Sequence, residues 1–129
     1  MRRIATRPFG KKVENNIIRS LRMAGVPIKT NADLDHNHKI DFLLILEDKT
    51  VGIQFSLRQD NFKAKVAKIC ALDEVQRFVY LCLADEFFSY PDKDNGMQLY
   101  SLLHYITNEF QQKALWLNVD INGWRVKAI

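Results

Sequence analysis

The sequence lacks long hydrophobic runs, since every apolar stretch is far shorter than the roughly 20 residues that a membrane-spanning helix needs. Arg2 and Arg3 stand near the amino terminus, but no apolar segment follows them, so we expect no secretion signal. The chain has only 2 cysteines, Cys70 and Cys82, and they lack CxxC spacing. These absences predict a protein that does not contact membranes and that carries buried free thiols in a reducing cytoplasm.

Motifs for several catalytic classes are also missing. The 5 glycines form no glycine-rich phosphate loop, and the sequence contains no Ser/His/Asp or Cys/His nucleophile arrangement. Residues 35–38 read Asp-His-Asn-His, but no third ligand accompanies His36 and His38 at a spacing typical of a metal site. We interpret this segment as a polar turn, and the alternative is that one of its histidines assists at a neighbouring acidic site.

The overall composition is typical of a folded globular domain. Hydrophobic residues make up 47% of the chain and charged residues 26%, so disorder is not expected. A chain of 129 residues can bury a core of its own, and it contains no repeat, low-complexity segment or linker. The sequence therefore predicts one α/β domain that spans residues 1–129.

Two apolar segments joined by a short polar link organise the chain and predict an antiparallel β-hairpin. The first, residues 39–46, is almost continuously apolar after Asp41 near its start, as in a strand covered on both faces. The second, residues 51–57, alternates with a period of two, so its apolar and polar residues lie on opposite faces. Its polar row consists of Gly52, Gln54, Ser56 and Arg58. The pattern therefore places a carboxylate beside a polar row.

The segment before the hairpin predicts an arm, a helix and a strand. Residues 1–10 are basic and end in Pro8-Phe9-Gly10, which indicates an arm outside the helix. Apolar residues then recur at helical spacing through residues 11–25, with Glu14 near the helix start. Residues 27–29 could form a short first strand.

The segment after the hairpin predicts a crossover to a parallel strand. Residues 60–72 have the pattern of an amphipathic helix, and residues 75–84 that of a buried strand. Strand, helix and strand in this order favour a parallel connection within a mixed sheet. Beyond a loop, residues 97–114 predict another helix, and Asn122-Gly123 predicts the turn of a terminal hairpin.

Positive charge is concentrated in two clusters, although the formal net charge is only +4. Basic patches attract phosphate backbones, and the alternative is an ordinary solvated face. The candidate phosphate-binding residues are Arg2, Arg3, Arg7, Lys11, Lys12, Lys63 and Lys65. Trp116 and Trp124 in the predicted terminal hairpin can pack against the core, and base stacking is the alternative.

A helix with Glu14, a strand that opens at Asp41, a strand with Gln54-Phe55-Ser56, an amphipathic helix and a buried strand follow one another. This order resembles the PD-(D/E)XK nuclease superfamily, over about residues 9–84. The resemblance implies a restriction-endonuclease-like mixed β-sheet flanked by helices, to which this chain adds a carboxy-terminal helix and β-hairpin.

The resemblance also implies a metal site. Asp41 matches the superfamily acid that binds the catalytic Mg²⁺, Gln54 stands where a second acid is usual, and Glu14 matches a helix glutamate found in many members. Ser56 stands where the superfamily has its lysine. A cation that replaces this lysine could come from Arg58, Lys63 or Lys65. Without the resemblance, Asp41 could bond a loop amide, Gln54 and Ser56 could line a solvated face, and Glu14 could interact with the helix dipole.

The expected function is metal-dependent hydrolysis of phosphodiester bonds in nucleic acid, DNA rather than RNA, with Mg²⁺ or Mn²⁺. The alternative is a catalytically inactive module of the same fold that binds nucleic acid or a protein partner. A homodimer is also expected, because members of the superfamily often dimerise and a domain this small covers little duplex.

Overall fold

A computed structural model describes residues 3–30, 40–46, 49–55, 71, 75–83, 89–120 and 122–128, with residues 3–11 and 55 described by their backbone alone. These residues form two α-helices and a six-stranded mixed sheet, so the predicted α/β class and the mixed sheet are confirmed. The elements are α1 (Arg3–Met23), β1 (Ile28–Lys29), β2 (Phe42–Leu46), β3 (Lys49–Phe55), β4 (Arg77–Leu83), α2 (Lys93–Glu109), β5 (Ala114–Asp120) and β6 (Gly123–Ala128).

The strands lie side by side in the order in which they occur in the chain, from β1 to β6. The pairs β1–β2, β2–β3 and β5–β6 are antiparallel, and β3–β4 and β4–β5 are parallel. The predicted central hairpin, parallel connection and terminal hairpin are therefore confirmed. The terminal hairpin completes the sheet, because β5 pairs with β4. The predicted amphipathic helix of residues 60–72 lies outside the described residues, apart from residue 71.

Helix α1 begins earlier than the sequence predicts. The arm prediction for residues 3–10 is wrong, because Pro8 and Gly10 lie within the helix. Pro8 stands in its second turn, where its ring removes one backbone hydrogen bond but does not end the helix. The predicted end is confirmed: Gly25 has φ of 82°, and the N–H groups of Gly25 and Val26 bond the carbonyls of Arg22 and Leu21.

Helix α2 also begins before its predicted start at residue 97. Asp92 caps it, since its carboxylate accepts hydrogen bonds from the N–H groups of Asp94 and Asn95 at 2.8 and 3.3 Å. The helix ends at Glu109, before the predicted end at residue 114, and Ala114 already belongs to β5.

Both helices pack on one face of the sheet. Val13, Ile17 and Leu21 of α1 and Leu103 and Ile106 of α2 are fully or almost fully buried there. They contact the sheet residues of this core, which are Phe42, Leu44, Leu46, Val51, Ile53, Val79, Leu81, Leu83, Leu115 and Leu117. A second cluster consists of Ile40, Leu43, Val75, Phe78, Tyr80, Cys82 and Ala114, with the partly buried Trp116 packed against it. Alternation along the strands places this second cluster on the opposite face.

The two helices approach each other closely at Ser20 and Gly96. The buried Ser20 hydroxyl donates to the carbonyl of Asn16 at 2.7 Å and accepts from the N–H of Asp92 at 2.9 Å. A Cβ atom at Gly96 would lie 2.1 Å from the carbonyl oxygen of Ser20, so only glycine fits this crossing. The start of α2 is thereby fixed to α1.

Arg77 fixes the other end of α2 to the sheet. From the first position of β4, its guanidinium donates to the backbone carbonyls of Thr107, Phe110 and Gln112. A cation is favourable at this helix end, where carbonyl groups lack partners within the helix. Burial lowers the pKa of Arg77 from its usual value, but an arginine remains charged at neutral pH.

The substitution Arg77→Met is expected to lower the free energy of unfolding by roughly 2–3 kcal/mol, because it leaves these carbonyls without their charged donor. Urea denaturation followed by circular dichroism measures the change. Arg125→Met is the matched control: this exposed arginine pairs with Asp120, and its loss should cost less than about 1 kcal/mol. Equal losses in the two variants would contradict the role assigned to Arg77.

Candidate functional site

Asp41 lies at the entrance to β2, where the strand alternation is interrupted. Its N–H donates to the carbonyl of Ile53 at 2.9 Å, although Ile53 is already the register partner of Phe42. Two residues on one strand therefore face one residue on the other, which is the arrangement of a β-bulge. Ile40 and Phe42 accordingly belong to opposite faces of the sheet. The bulge places the half-buried Asp41 beside the peptide bond that joins Ile53 to Gln54.

Gln54 contributes a buried oxygen at this position. It pairs in parallel register with Tyr80, so its side chain shares the face of the second cluster rather than the helix-covered face. The Gln54 Oε1 atom is buried and has no hydrogen-bond donor in the described structure. A buried acceptor without a donor costs roughly 1–3 kcal/mol, so a ligand that satisfies it would bind favourably.

Glu14 lies on a different face from Gln54. It is half-buried on α1, next to the fully buried Val13, and α1 packs on the face that carries Val51 and Ile53. The hairpin therefore places the backbones of Asp41 and Gln54 next to each other, and the helix of Glu14 packs over the face of the sheet opposite to the Gln54 side chain.

Most of the predicted cations lie where their side chains are not described. Lys12 is an exposed residue of α1, and Arg3, Arg7 and Lys11 belong to the backbone of the same helix. The remaining predicted site residues lie outside the described residues; they are Arg2, Ser56, Arg58, Lys63 and Lys65. His36 and His38 of the predicted polar turn also lie outside them.

The oxygens of Asp41 and Gln54 are of the type that a hard divalent cation binds. Mg²⁺ uses oxygen ligands and keeps several waters, so one carboxylate and one amide oxygen can be its protein ligands. The Oε1 of Gln54, which accepts no hydrogen bond from the described part of the chain, fits this requirement. Within the described part of the chain, no group of three or more His, Cys, Asp or Glu side chains forms a metal site.

Cys82 is a buried free cysteine, as the sequence predicts. Burial raises its pKa to about 11. The thiol is therefore protonated at neutral pH, and it is neither a ready nucleophile nor a ready metal ligand. We assign Cys82 to packing in the second cluster.

A second surface of interest lies at the β6 edge of the sheet, where a depression of about 540 Å³ is found. The residues that line it are Trp116, Trp124, Arg125, Val126 and Lys127, and we call them the β6 edge site. The Lys127 ammonium lies 4.6 Å from the centre of the Trp116 ring. Trp116 packs partly against the second cluster, but Trp124 is 43% exposed, so core packing describes only the first of the two. Strand register brings these residues together, since Trp116 pairs with Lys127.

Comparisons with protein-family models, with curated proteins and with solved structures found no match for this chain. Across the described ranges, no helix is both long enough and apolar enough to cross a membrane.

Proposed function

We propose that this protein has a restriction-endonuclease-like fold and hydrolyses phosphodiester bonds in nucleic acid, DNA in preference to RNA, with a divalent cation held by Asp41 and Gln54. The observation that carries the proposal is the buried Oε1 of Gln54, which receives no hydrogen bond from the described residues and belongs to the strand position next to Asp41 at the entrance of β2. A cation would satisfy this oxygen.

The order and direction of the elements support the proposal. The helix with Glu14 precedes an antiparallel hairpin that carries Asp41 and Gln54, and the next described strand, β4, is parallel to β3. Apart from the amphipathic helix of residues 60–72, which lies outside the described residues but for residue 71, this is the succession on which the resemblance to the nuclease superfamily rests. The bulge at Asp41 adds a local feature, because bulges often redirect a side chain next to an active site.

The two oxygens would have different roles. Asp41 would hold the cation by its charge, whereas Gln54 would hold it through a neutral oxygen that is shielded from water. Bound there, the cation would polarise the scissile phosphate and activate a water molecule for attack. Arg58, Lys63 or Lys65 would supply the positive charge that the lysine of the superfamily provides. The basic residues of α1, which are Arg3, Arg7, Lys11 and Lys12, would bind neighbouring phosphates.

The substitution Asp41→Asn tests the proposal. It keeps the shape of the side chain and removes the charge, so metal-dependent cleavage should fall by about 100-fold or more. The assay uses duplex, single-stranded and branched DNA with Mg²⁺ or Mn²⁺. Asp94→Asn, at an exposed acid in the first turn of α2, is the control and should cleave at the wild-type rate. Equal cleavage by the Asp41→Asn protein and wild type, or no cleavage by wild type, would contradict the proposal.

A non-catalytic nucleic-acid-binding or partner-binding module is the second candidate. The position of α1 favours it, because the helix that bears Glu14 packs on the face opposite to Gln54. This candidate predicts binding to DNA that is the same in EDTA and in Mg²⁺ and that survives Asp41→Asn, without cleavage by any variant.

A further inference from the structure

The β6 edge site displays an aromatic ring that the fold does not bury. Trp124 is 43% exposed, and its ring meets Tyr105 of α2 edge-on, with 5.9 Å between the ring centres. Exposed tryptophans are favoured where a flat or apolar ligand binds, since they bury a large area on contact. The Tyr105 contact orients the ring in advance, which lowers the entropy lost when a ligand stacks on it.

Two cations flank the depression from the other face of β6, because Arg125 and Lys127 alternate with Trp124 along the strand. Arg125 and Lys127 line the same depression, and Asp120 is the acid that pairs with Arg125, at 3.3 Å. The Arg125 side chain is 73% exposed, and an exposed ion pair contributes at most about 1 kcal/mol. Arg125 can therefore exchange Asp120 for a phosphate at little cost. The Lys127 ammonium lies over the ring of Trp116, and it can likewise leave that ring to contact a phosphate.

We propose that the β6 edge site binds single-stranded nucleic acid, with a base stacked on Trp124 and phosphates on Arg125 and Lys127. This inference rests on the proposed function for its ligand class and extends it by a strand-binding surface outside the Asp41 site. Stacking on an exposed aromatic ring requires an unpaired base, and cations on the other face of the same edge strand select a flexible chain of phosphates that passes over that edge. Aromatic and cationic side chains together therefore fit a single strand better than a duplex.

A second copy of this chain is the competing occupant, because an edge strand can pair with another edge strand. The charges oppose that arrangement. Lys and Arg on an edge strand discourage strand addition, and a two-fold contact through β6 would bring the two copies of Arg125 and Lys127 towards each other.

The binding of a labelled oligothymidylate, measured by fluorescence anisotropy in EDTA with the full chain, tests the stacking role. Trp124→Ala should weaken binding by roughly 5- to 100-fold, the effect of losing one stacked base. Tyr90→Ala is the matched control, because Tyr90 is a 64% exposed aromatic residue outside the β6 edge site, and it should leave the affinity unchanged.

The salt dependence of the same binding tests the cations. Each of Arg125→Gln and Lys127→Gln should reduce the slope of log affinity against log salt by about 0.7, the value for one lost contact to a single strand. Lys93→Gln, at an exposed lysine that begins α2, should leave the slope unchanged. A merely structural role for Arg125 or Lys127 would not change this slope.

Three results would overturn the inference: no binding by the wild-type chain, wild-type affinity in Trp124→Ala, or unchanged slopes in both Gln variants. A change from dimer to monomer in Trp124→Ala with unaltered affinity would assign the surface to self-association and would also overturn it. The assay contains no metal, so its outcome does not depend on cleavage. Binding with these signatures but without any nuclease activity would contradict the proposed function alone.

Discussion

The double substitution Gln54→Glu, Ser56→Lys is expected to raise the rate of the proposed metal-dependent cleavage by about 100- to 1000-fold. Electrostatic groups aimed at developing charge contribute on this scale at comparable sites. The first change would give the proposed cation a second carboxylate, and the second would supply the lysine that the resemblance to the nuclease superfamily implies at residue 56. Ser56 lies outside the described residues, and its place on the face of Gln54 stays a prediction from the alternation of the sequence.

Single-turnover cleavage of the best substrate measures this effect, and the two single substitutions separate its parts. Gln54→Glu alone should tighten metal binding, because a carboxylate holds a divalent cation more strongly than an amide. Gln54→Glu with Ser56→Met is the control for side-chain size without charge, and it should remain well below the double variant. If the folded double variant cleaves no faster than wild type, residues 54 and 56 do not occupy the catalytic positions.

The substitution Gly96→Ala is expected to lower the free energy of unfolding by about 3 kcal/mol. The added Cβ would lie 2.1 Å from the carbonyl oxygen and 2.5 Å from the carbonyl carbon of Ser20. These are backbone atoms within a helix, so relief requires α1 and α2 to move apart, and overpacking of this kind typically costs about 1–3 kcal/mol or more. Elsewhere in a helix the same substitution stabilises by about 1 kcal/mol, so the expected sign is reversed.

Urea denaturation measures the effect of Gly96→Ala. Met97→Ala is the matched control on the next residue, which is 49% exposed, and it should change the free energy of unfolding by less than about 0.5 kcal/mol. A stabilised Gly96→Ala protein would show that the two helices do not approach as closely as Ser20 and Gly96 indicate.

The sheet is more predictable from the sequence than the helix boundaries. Alternation predicts the two faces of β3, and Asn122-Gly123 locates the terminal hairpin, because both signals are local. The start of α1 is hard to predict since Pro8 and Gly10 are poor helix residues, and the start of α2 is hard to predict since Asp92 also suits a turn. Gly96 has the local pattern of a loop residue, because its role depends on a helix far away in sequence.

The candidate site is predictable in residue type but not in arrangement. Spacing along the chain places Asp41 beside Gln54, whereas the bulge at Asp41 is an exception to the alternation from which the prediction starts. Glu14 and Gln54 lie on opposite sides of the sheet, and this is known only from the hydrophobic cluster to which each strand residue belongs. The helical pattern around Glu14 does not show on which face of the sheet the helix packs. The β6 edge site is visible in sequence as two tryptophans near two cations, but the choice between packing and exposure needs the register with β5.

The succession of strands bears on how the chain is assembled during synthesis. Each strand from β2 onwards pairs with the strand that precedes it in the sequence, so no place in the sheet has to be kept open for a later segment. As the chain leaves the ribosome, every new strand can add to the edge formed by the strand before it, and the growing edge of each strand up to β5 is exposed only until the next strand arrives. The order of translation is therefore also an order of assembly, in which β6 joins last.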